Sequence, residues 1–342
     1  MKVFFDPIQK AHAPETFLVS GMWRPCPEVP ERADRFLAAV RDLGLSVTAP
    51  GDAGMAPLAA IHTAEYLDFL RTIHARWQDL GGSRDVLPNV HPVGREGCYP
   101  RSPVGRAGYH LGDTACPVTA ETWEAVYRSA QTAVAAADAV RGGDRVAYAL
   151  CRPPGHHAAA DLAGGFCYLN NAAIAAQRLR SVYDRVATLD IDLHHGNGTQ
   201  NIFYQRGDVL TVSLHADPMD FYPFFWGHAA ERGAGPGLGA NLNLPLALGT
   251  EEAGWLAALD VALARIAAFA PGALVVSLGV DASAADPFGG LRVSPEGFVA
   301  AGQRIAALGL PTALVQEGGY LSDSLGLCLN RFLSGVLETV GA

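Results

Sequence analysis

Four short apolar runs in this chain each end in chemistry. Val146–Cys151 runs into Arg152-Pro153-Pro154-Gly155-His156-His157, and the run from Val186 ends in Asp190-Ile191-Asp192-Leu193-His194-His195-Gly196-Asn197. Ala273–Leu278 leads to Gly279-Val280-Asp281, and Thr312–Val315 to Gln316-Glu317-Gly318-Gly319-Tyr320. With Val209–Leu214, these runs are brief and apolar on both faces, as strands covered by helices on each side are. Longer amphipathic stretches alternate with them: Glu121–Val140 after Thr119, Asn171–Val182, Glu251–Phe269 after Thr250, and Ala64–Trp77 nearer the start. Both threonines are placed to cap a helix, Gly142-Gly143 to end one, and Glu251 and Glu252 to sit in a first turn. The alternation predicts an α/β fold around a mostly parallel sheet.

Ligands of such a sheet bind outside the carboxyl ends of its strands. Asp192 and His194 are two apart, so in extended backbone their side chains share a side. Asp281, from another strand, supplies a third donor, and three N/O donors with an open position suit a catalytic metal. Asp190 lies on the same face as Asp192 and is placed to hydrogen-bond an imidazole. Singly, each feature has a plainer explanation. An Asp-x-His pair caps turns, tandem histidines satisfy loop backbone, Gly318-Gly319 makes a tight turn, and Tyr320 fills a core. Delivery of all of them to one edge selects the site. His62, His74, His91, His110 and His228 lack such company and read as non-catalytic.

Composition sets the outer limits. The chain has 342 residues, 49% hydrophobic and 17% charged, without repeats or charge blocks, which predicts one domain over 1–342. A net charge of -9 and no dense Lys/Arg cluster argue against a nucleic-acid partner. The six cysteines form no CxxC pair and no disulfide framework. Asp6 interrupts the only candidate leader, and no apolar stretch reaches bilayer length, so a cytoplasmic protein without membrane contact is expected. Two stretches break the strand–helix rhythm. Gly81–Pro117, rich in Gly, Pro and Arg, reads as an ordered-loop insertion, and Ala216–Gly239 as a long aromatic connection.

These residues closely resemble the histone deacetylase family of the arginase/deacetylase superfamily, with the bacterial acetylpolyamine amidohydrolases nearest. The resemblance rests on RPPGHHA (152–158), GGFCYLNNAAIAA (164–176), DIDLHHGNGTQ (190–200), VSLH (212–215), SLGVD (277–281) with a later DP (286–287), EGGY (317–320) and HTAEYLDFL (62–70). It implies a single α/β domain around a mainly parallel eight-stranded sheet with helices on both faces. It implies zinc on Asp192, His194 and Asp281, a site that iron(II) or cobalt(II) also suits. His156 and His157 become a tandem acid/base pair, partnered by Asp190 and Asn197 respectively, and Tyr320 the donor to an oxyanion. Many relatives carry aspartate where Asn197 stands; the amide here leaves His157 easier to keep neutral. The resemblance also implies structural potassium on Asp190, Asp192, His194, Ser213 and Leu214, and a second cation on oxygens of Phe203, Arg206 and Val209.

For the substrate, the resemblance places Phe166 and Tyr222 as aromatic walls of a narrow tunnel, with the Gly165 carbonyl facing the substrate N–H. Phe221, Phe224, Phe225 and Trp226 add aromatics at the mouth, at least half of them expected to pack the loop onto the domain. The insertion implies a homodimer and a narrowed entrance. Aligning it puts Val104, near Arg106, at the gate where polyamine-cleaving relatives place an acid; Asp113 and Glu96 are the other candidates. The expected activity is deacetylation of a small acetylated amine, acetylpolyamines first, ahead of other apolar or aromatic amides and of acetyl-lysine. An arginase-like ureohydrolase needs ligands for two manganese ions, and the His156-His157 tandem and Tyr320 argue against it. A catalytically dead binding module would lack a ligand or Tyr320.

Overall fold

The structure, a computed structural model, describes residues 1–95 and 97–341. Its strands are β1 (Lys2–Phe4), β2 (Thr16–Val19), β3 (Met22–Pro25), β4 (Val47–Thr48), β5 (Val146–Ala149), β6 (Val186–Asp190), β7 (Val209–Ala216), β8 (Asn241–Leu246), β9 (Ala273–Leu278) and β10 (Thr312–Gln316). β2 and β3 pair as an antiparallel hairpin. The others form one eight-stranded sheet in the order β4-β1-β5-β10-β9-β6-β7-β8. Every neighbouring pair in it is parallel.

Alternation along the strands deals their residues to two apolar layers. On β9, Leu274, Val276 and Leu278 join one layer, while Ala273 and Val275 join the other; β5 divides the same way. The first layer is covered by the helices Glu31–Asp42, Glu252–Phe269, Pro295–Ala306 and Leu325–Gly341. The second is covered by Ala64–Gln78, Thr122–Arg141 and Asn171–Leu179. Burying one Val or Leu on such a strand contributes about 1.5–3 kcal/mol relative to exposure. Among the described residues, no helix is long and apolar enough to cross a membrane.

Differences from expectation are local. Thr119 and Thr250 do not cap their helices. The Thr119 hydroxyl accepts from Glu121 N–H outside the helix, and the Thr250 hydroxyl donates to the Ala247 carbonyl. Thr63 does cap, accepting from Tyr66 N–H at 3.2 Å. The insertion is not loop throughout: Pro103–His110 is a helix, with Pro at its first position, and its Ala107 is buried in the second layer. β8 carries no apolar alternation in the sequence because its alternate positions, Asn241 and Asn243, are buried amides. They donate to Gln200 Oε1 at 2.9 and 2.8 Å, which replaces the apolar pattern of a strand with a polar one.

Candidate active site

All eight strands run the same way, so their carboxyl ends share one edge. There β5, β10, β9 and β6 are consecutive neighbours. His156 and His157 follow β5, Tyr320 follows β10, Asp281 follows β9, and Asp192 and His194 follow β6. Sequence segments far apart therefore meet because their strands hydrogen-bond side by side.

Asp192, His194 and Asp281 each present one atom within 4.8 Å of the others, and all three are buried. His194 Nδ1 lies 3.1 Å from Asp192 Oδ1 and 3.3 Å from Asp281 Oδ2. Backbone N–H groups orient the carboxylates: Gly318 donates to Asp192 Oδ2 and Leu193 to Asp281 Oδ1, both at 2.8 Å. Asp281 Oδ2 is buried and, apart from the His194 ring 3.3 Å away, meets no hydrogen-bond partner among the described residues, an arrangement that a cation would complete. The electrostatics agree. Burial, then Asp192, pushes the Asp281 carboxyl up. Burial alone would lower His194, yet the two carboxylates outweigh it and lift the imidazole to about 9. Two carboxylates and an imidazole in a dry site fit a divalent ion, which would supply the positive charge they lack.

Close approach demands glycine here. A Cβ on Gly318 would collide with the carboxylates of Asp281 and Asp192, and one on Gly279 with Asp192. Gly318 thus makes room for the cluster. Gly319, at φ +115°, supplies the backbone freedom that carries the chain into Tyr320.

The tandem histidines sit with ring centroids 4.1 Å apart but in opposite environments. His156 Nδ1 meets Asp190 Oδ2 at 2.8 Å. Burial opposes its protonation, but Asp190 and Asp192 overcome this and hold it well above the ordinary value. His157 Nδ1 meets Asn197 Oδ1 at 2.7 Å. Burial, then the neighbouring His156, pushes His157 well below its ordinary value. Because Asn197 Oδ1 only accepts, His157 Nδ1 carries the hydrogen and Nε2 is left with a free lone pair. Glu317 accepts from Gly155 and His156 N–H at 2.6 and 3.1 Å, clamping the loop that carries both rings.

Tyr320 is buried, its ring 4.6 Å from Phe288 and 6.0 Å from Phe166, with the Arg32 guanidinium 4.9 Å above it. Burial keeps its phenol protonated, well above the ordinary value. Its N–H donates to Asp286 Oδ2 at 2.9 Å. Tyr222 stands edge-on to His157 at 5.0 Å, and Phe166 holds φ +67° directly after Gly165. Asp190 and Ser213 are cross-strand partners of β6 and β7, Leu214 follows Ser213, and Ser213 Oγ bonds His215 Nδ1 at 2.8 Å.

Several residues were not singled out from the sequence. Phe288 stands edge-on to His194 at 5.4 Å, and Arg32 donates to the carbonyls of Glu317 and Gly319. Asp286 and Glu317 belong to the DP and EGGY motifs, so the sequence carries a signal for them; Arg32, nearly three hundred positions from Tyr320, has none. The aromatic loop also behaves differently from expectation. Phe221 stacks on His194 at 5.3 Å, but Phe224, Phe225 and Trp226 are 50%, 79% and 52% exposed.

Val104 lies in the first turn of the Pro103–His110 helix and packs, partly buried, on the second apolar layer. Arg106 donates to the Pro100 carbonyl and covers the Tyr99 ring. Glu96 lies outside the described residues. Asp113 accepts from Tyr222 Oη at 2.6 Å and Gly165 N–H at 3.0 Å.

Comparison with known proteins adds to this geometry. The histone deacetylase domain model matches residues 26–336. An acetylpolyamine amidohydrolase of Burkholderia pseudomallei is 50% identical over 339 residues, 98% of each chain. Acetylpolyamine amidohydrolase 1 of Pseudomonas aeruginosa is 49% identical over 331 residues, covering 95% of this chain and 96% of that one. A crystal structure of acetylpolyamine aminohydrolase from Burkholderia pseudomallei superimposes with a TM-score of 0.96 at 50% identity, covering 99% of both chains.

Proposed function

This chain belongs to the histone deacetylase family, and from that premise we propose a zinc-dependent deacetylase of small acetylated amines, acetylpolyamines foremost. Membership makes it a metal-dependent hydrolase of amide bonds. The observation that carries the finer reading is one juxtaposition: a buried Asp192/His194/Asp281 cluster beside two neighbouring imidazoles, one bonded to the Asp190 carboxylate and the other to the Asn197 amide oxygen.

Zinc on those three residues would polarise the scissile carbonyl and make water a stronger acid, and iron(II) or cobalt(II) would serve similarly. His157 Nε2 takes the proton of the attacking water, since burial and His156 keep that ring neutral. Asp190 holds His156 in its charged form beside it, ready to protonate the leaving amine. The Tyr320 hydroxyl, kept protonated by burial, donates to the oxyanion. Phe166 and Tyr222 flank the acyl amide, and the Gly165 carbonyl receives its N–H. Potassium on Asp190, Asp192, His194, Ser213 and Leu214 belongs to the same reading, supported by the Asp190–Ser213 pairing across the sheet.

The substrate class is supported by relatives, named acetylpolyamine amidohydrolases, that match along nearly the whole chain. A carboxylate at the wall, Asp113, and a net charge of -9 also favour a cationic amine. The exposed Phe224, Phe225 and Trp226 favour a second reading, hydrolysis of flat apolar amides. Six free cysteines accord with a cytoplasmic location. Exposed Val90 and Val93 in the insertion accord with a homodimer through 81–117, within one catalytic unit spanning 1–342. The test compares kcat/KM for acetylputrescine, an acetyl-lysine peptide and acetanilide. Acetylputrescine should lead; a clear lead for acetanilide would establish the second reading instead.

A further inference from the structure

We infer that Asp113 is a positioning residue that ties the insertion to both walls of the substrate tunnel. The inference rests on the reading of Phe166 and Tyr222 as those walls. Asp113 Oδ2 accepts from Tyr222 Oη at 2.6 Å and from Gly165 N–H at 3.0 Å, while Oδ1 accepts from Ala115 N–H at 2.9 Å. One carboxylate therefore bonds the 222 segment and the 164–166 turn at once.

Both segments need such a restraint. Gly165 and Phe166 hold φ +53° and +67°, and Phe224, two residues beyond Tyr222, holds φ +62°. Left-handed backbone at a phenylalanine persists only where surrounding structure enforces it. The Gly164–Cys167 turn supplies its own two backbone hydrogen bonds. For the Tyr222 ring, the bond to Asp113 is the hydrogen bond that fixes its far end. That ring stands edge-on to His157, with an interplanar angle of 88°, so its orientation also sets the space beside the neutral imidazole.

The carboxylate itself is anchored from behind. Gly112 N–H donates to the Ala163 carbonyl and Ala163 N–H to the His110 carbonyl, both at 2.8 Å. His110 Nδ1 meets the Asp161 carbonyl at 2.8 Å, and Arg95 grips the Asp161 carboxylate at 2.7 and 3.0 Å. The insertion thus holds the 161–165 segment at Asp161, Ala163 and Gly165, and Asp113 carries that grip across to Tyr222. Three N–H and O–H donors from three places in the chain thus fix the geometry of this one carboxylate.

The experiment compares Tyr222→Phe, Asp113→Asn and the double variant on acetylputrescine and on N-pentylacetamide, in which a methyl replaces the distal ammonium. Metal content and Tm are measured for each protein. Tyr222→Phe keeps the ring and every charge; it should lower kcat/KM about five- to tenfold on both substrates, mostly through KM, with metal retained. Asp113→Asn should do the same or more, and the double variant should lose little beyond Asp113→Asn, because the two share one bond. A silent Tyr222→Phe, with Asp113→Asn impaired on acetylputrescine alone, would overturn the inference and make Asp113 a charge at the rim. Additive losses, or no loss in either variant, would overturn it as well. A wild-type enzyme inactive on both amides would instead refute the proposed function, an outcome separate from the variant pattern.

Discussion

The sheet edge and the insertion are built on opposite principles. At the edge, Asp192, His194, Asp281 and the tandem histidines stand on strand ends whose spacing is fixed by a parallel backbone ladder. Among its described residues the insertion has one helix, two isolated bridges to the rest of the chain, and a set of side-chain bonds: Arg95 to Asp161, Tyr99 to His110, and Asp113 to Tyr222. The first region has the rigidity that chemistry needs, because a misplaced proton acceptor costs rate steeply. The second is held by bonds that single substitutions remove. Breaking the edge should therefore abolish turnover, whereas breaking the insertion should change what binds and how stable the grip is.

The largest effect is expected at the edge. His157→Ala removes the neutral proton acceptor and should lower kcat by about a thousandfold with metal retained. His156→Ala should lose less, since one imidazole remains beside the cluster. Comparable wild-type rates in both would show that neither moves the proton. Next comes Tyr320→Phe, which keeps the ring packed between Phe288 and Phe166 but removes the hydroxyl. Its kcat should fall by roughly a hundredfold. A change confined to KM would mean that the tyrosine only binds substrate.

The insertion should show its smaller effect in stability. Burial, opposed by the Asp161 carbonyl, holds His110 down at about 4, below the ordinary value near 6.5. A group whose folded value is depressed gives its full stabilisation above the unfolded value. It loses that stabilisation as pH falls from about 6.5 toward 4. His110→Gln removes this contribution, so its Tm should fall about 3 °C less than wild type between pH 7 and pH 5. Parallel Tm curves would place the acid sensitivity elsewhere, for example at His62, which burial also holds at about 4.

The same contrast explains what could be read from sequence. β6 and β9 match their expected bounds because residues buried on both faces leave unbroken apolar runs, and a turn into Asp or Gly marks where each ends. The site donors were visible because each run hands over directly to them. β1 and β4 are too short to show a pattern, and β8 hides its own behind buried asparagines. In the insertion, no period marks which residue faces the walls. Val104 and Asp113 differ only in how the 103–110 helix and the turn after it are oriented, and that depends on contacts with Asp161, Ala163 and Tyr222.

The central claim is that one divalent ion on Asp192, His194 and Asp281 makes this chain an amidohydrolase. Its most direct test is a titration of chelated protein with zinc, following acetate release from acetylputrescine. Activity should rise from baseline to a plateau at about one equivalent per chain, and Asp281→Ala should not respond. Turnover that survives chelation, or an Asp281→Ala protein restored by the same single equivalent, would contradict it.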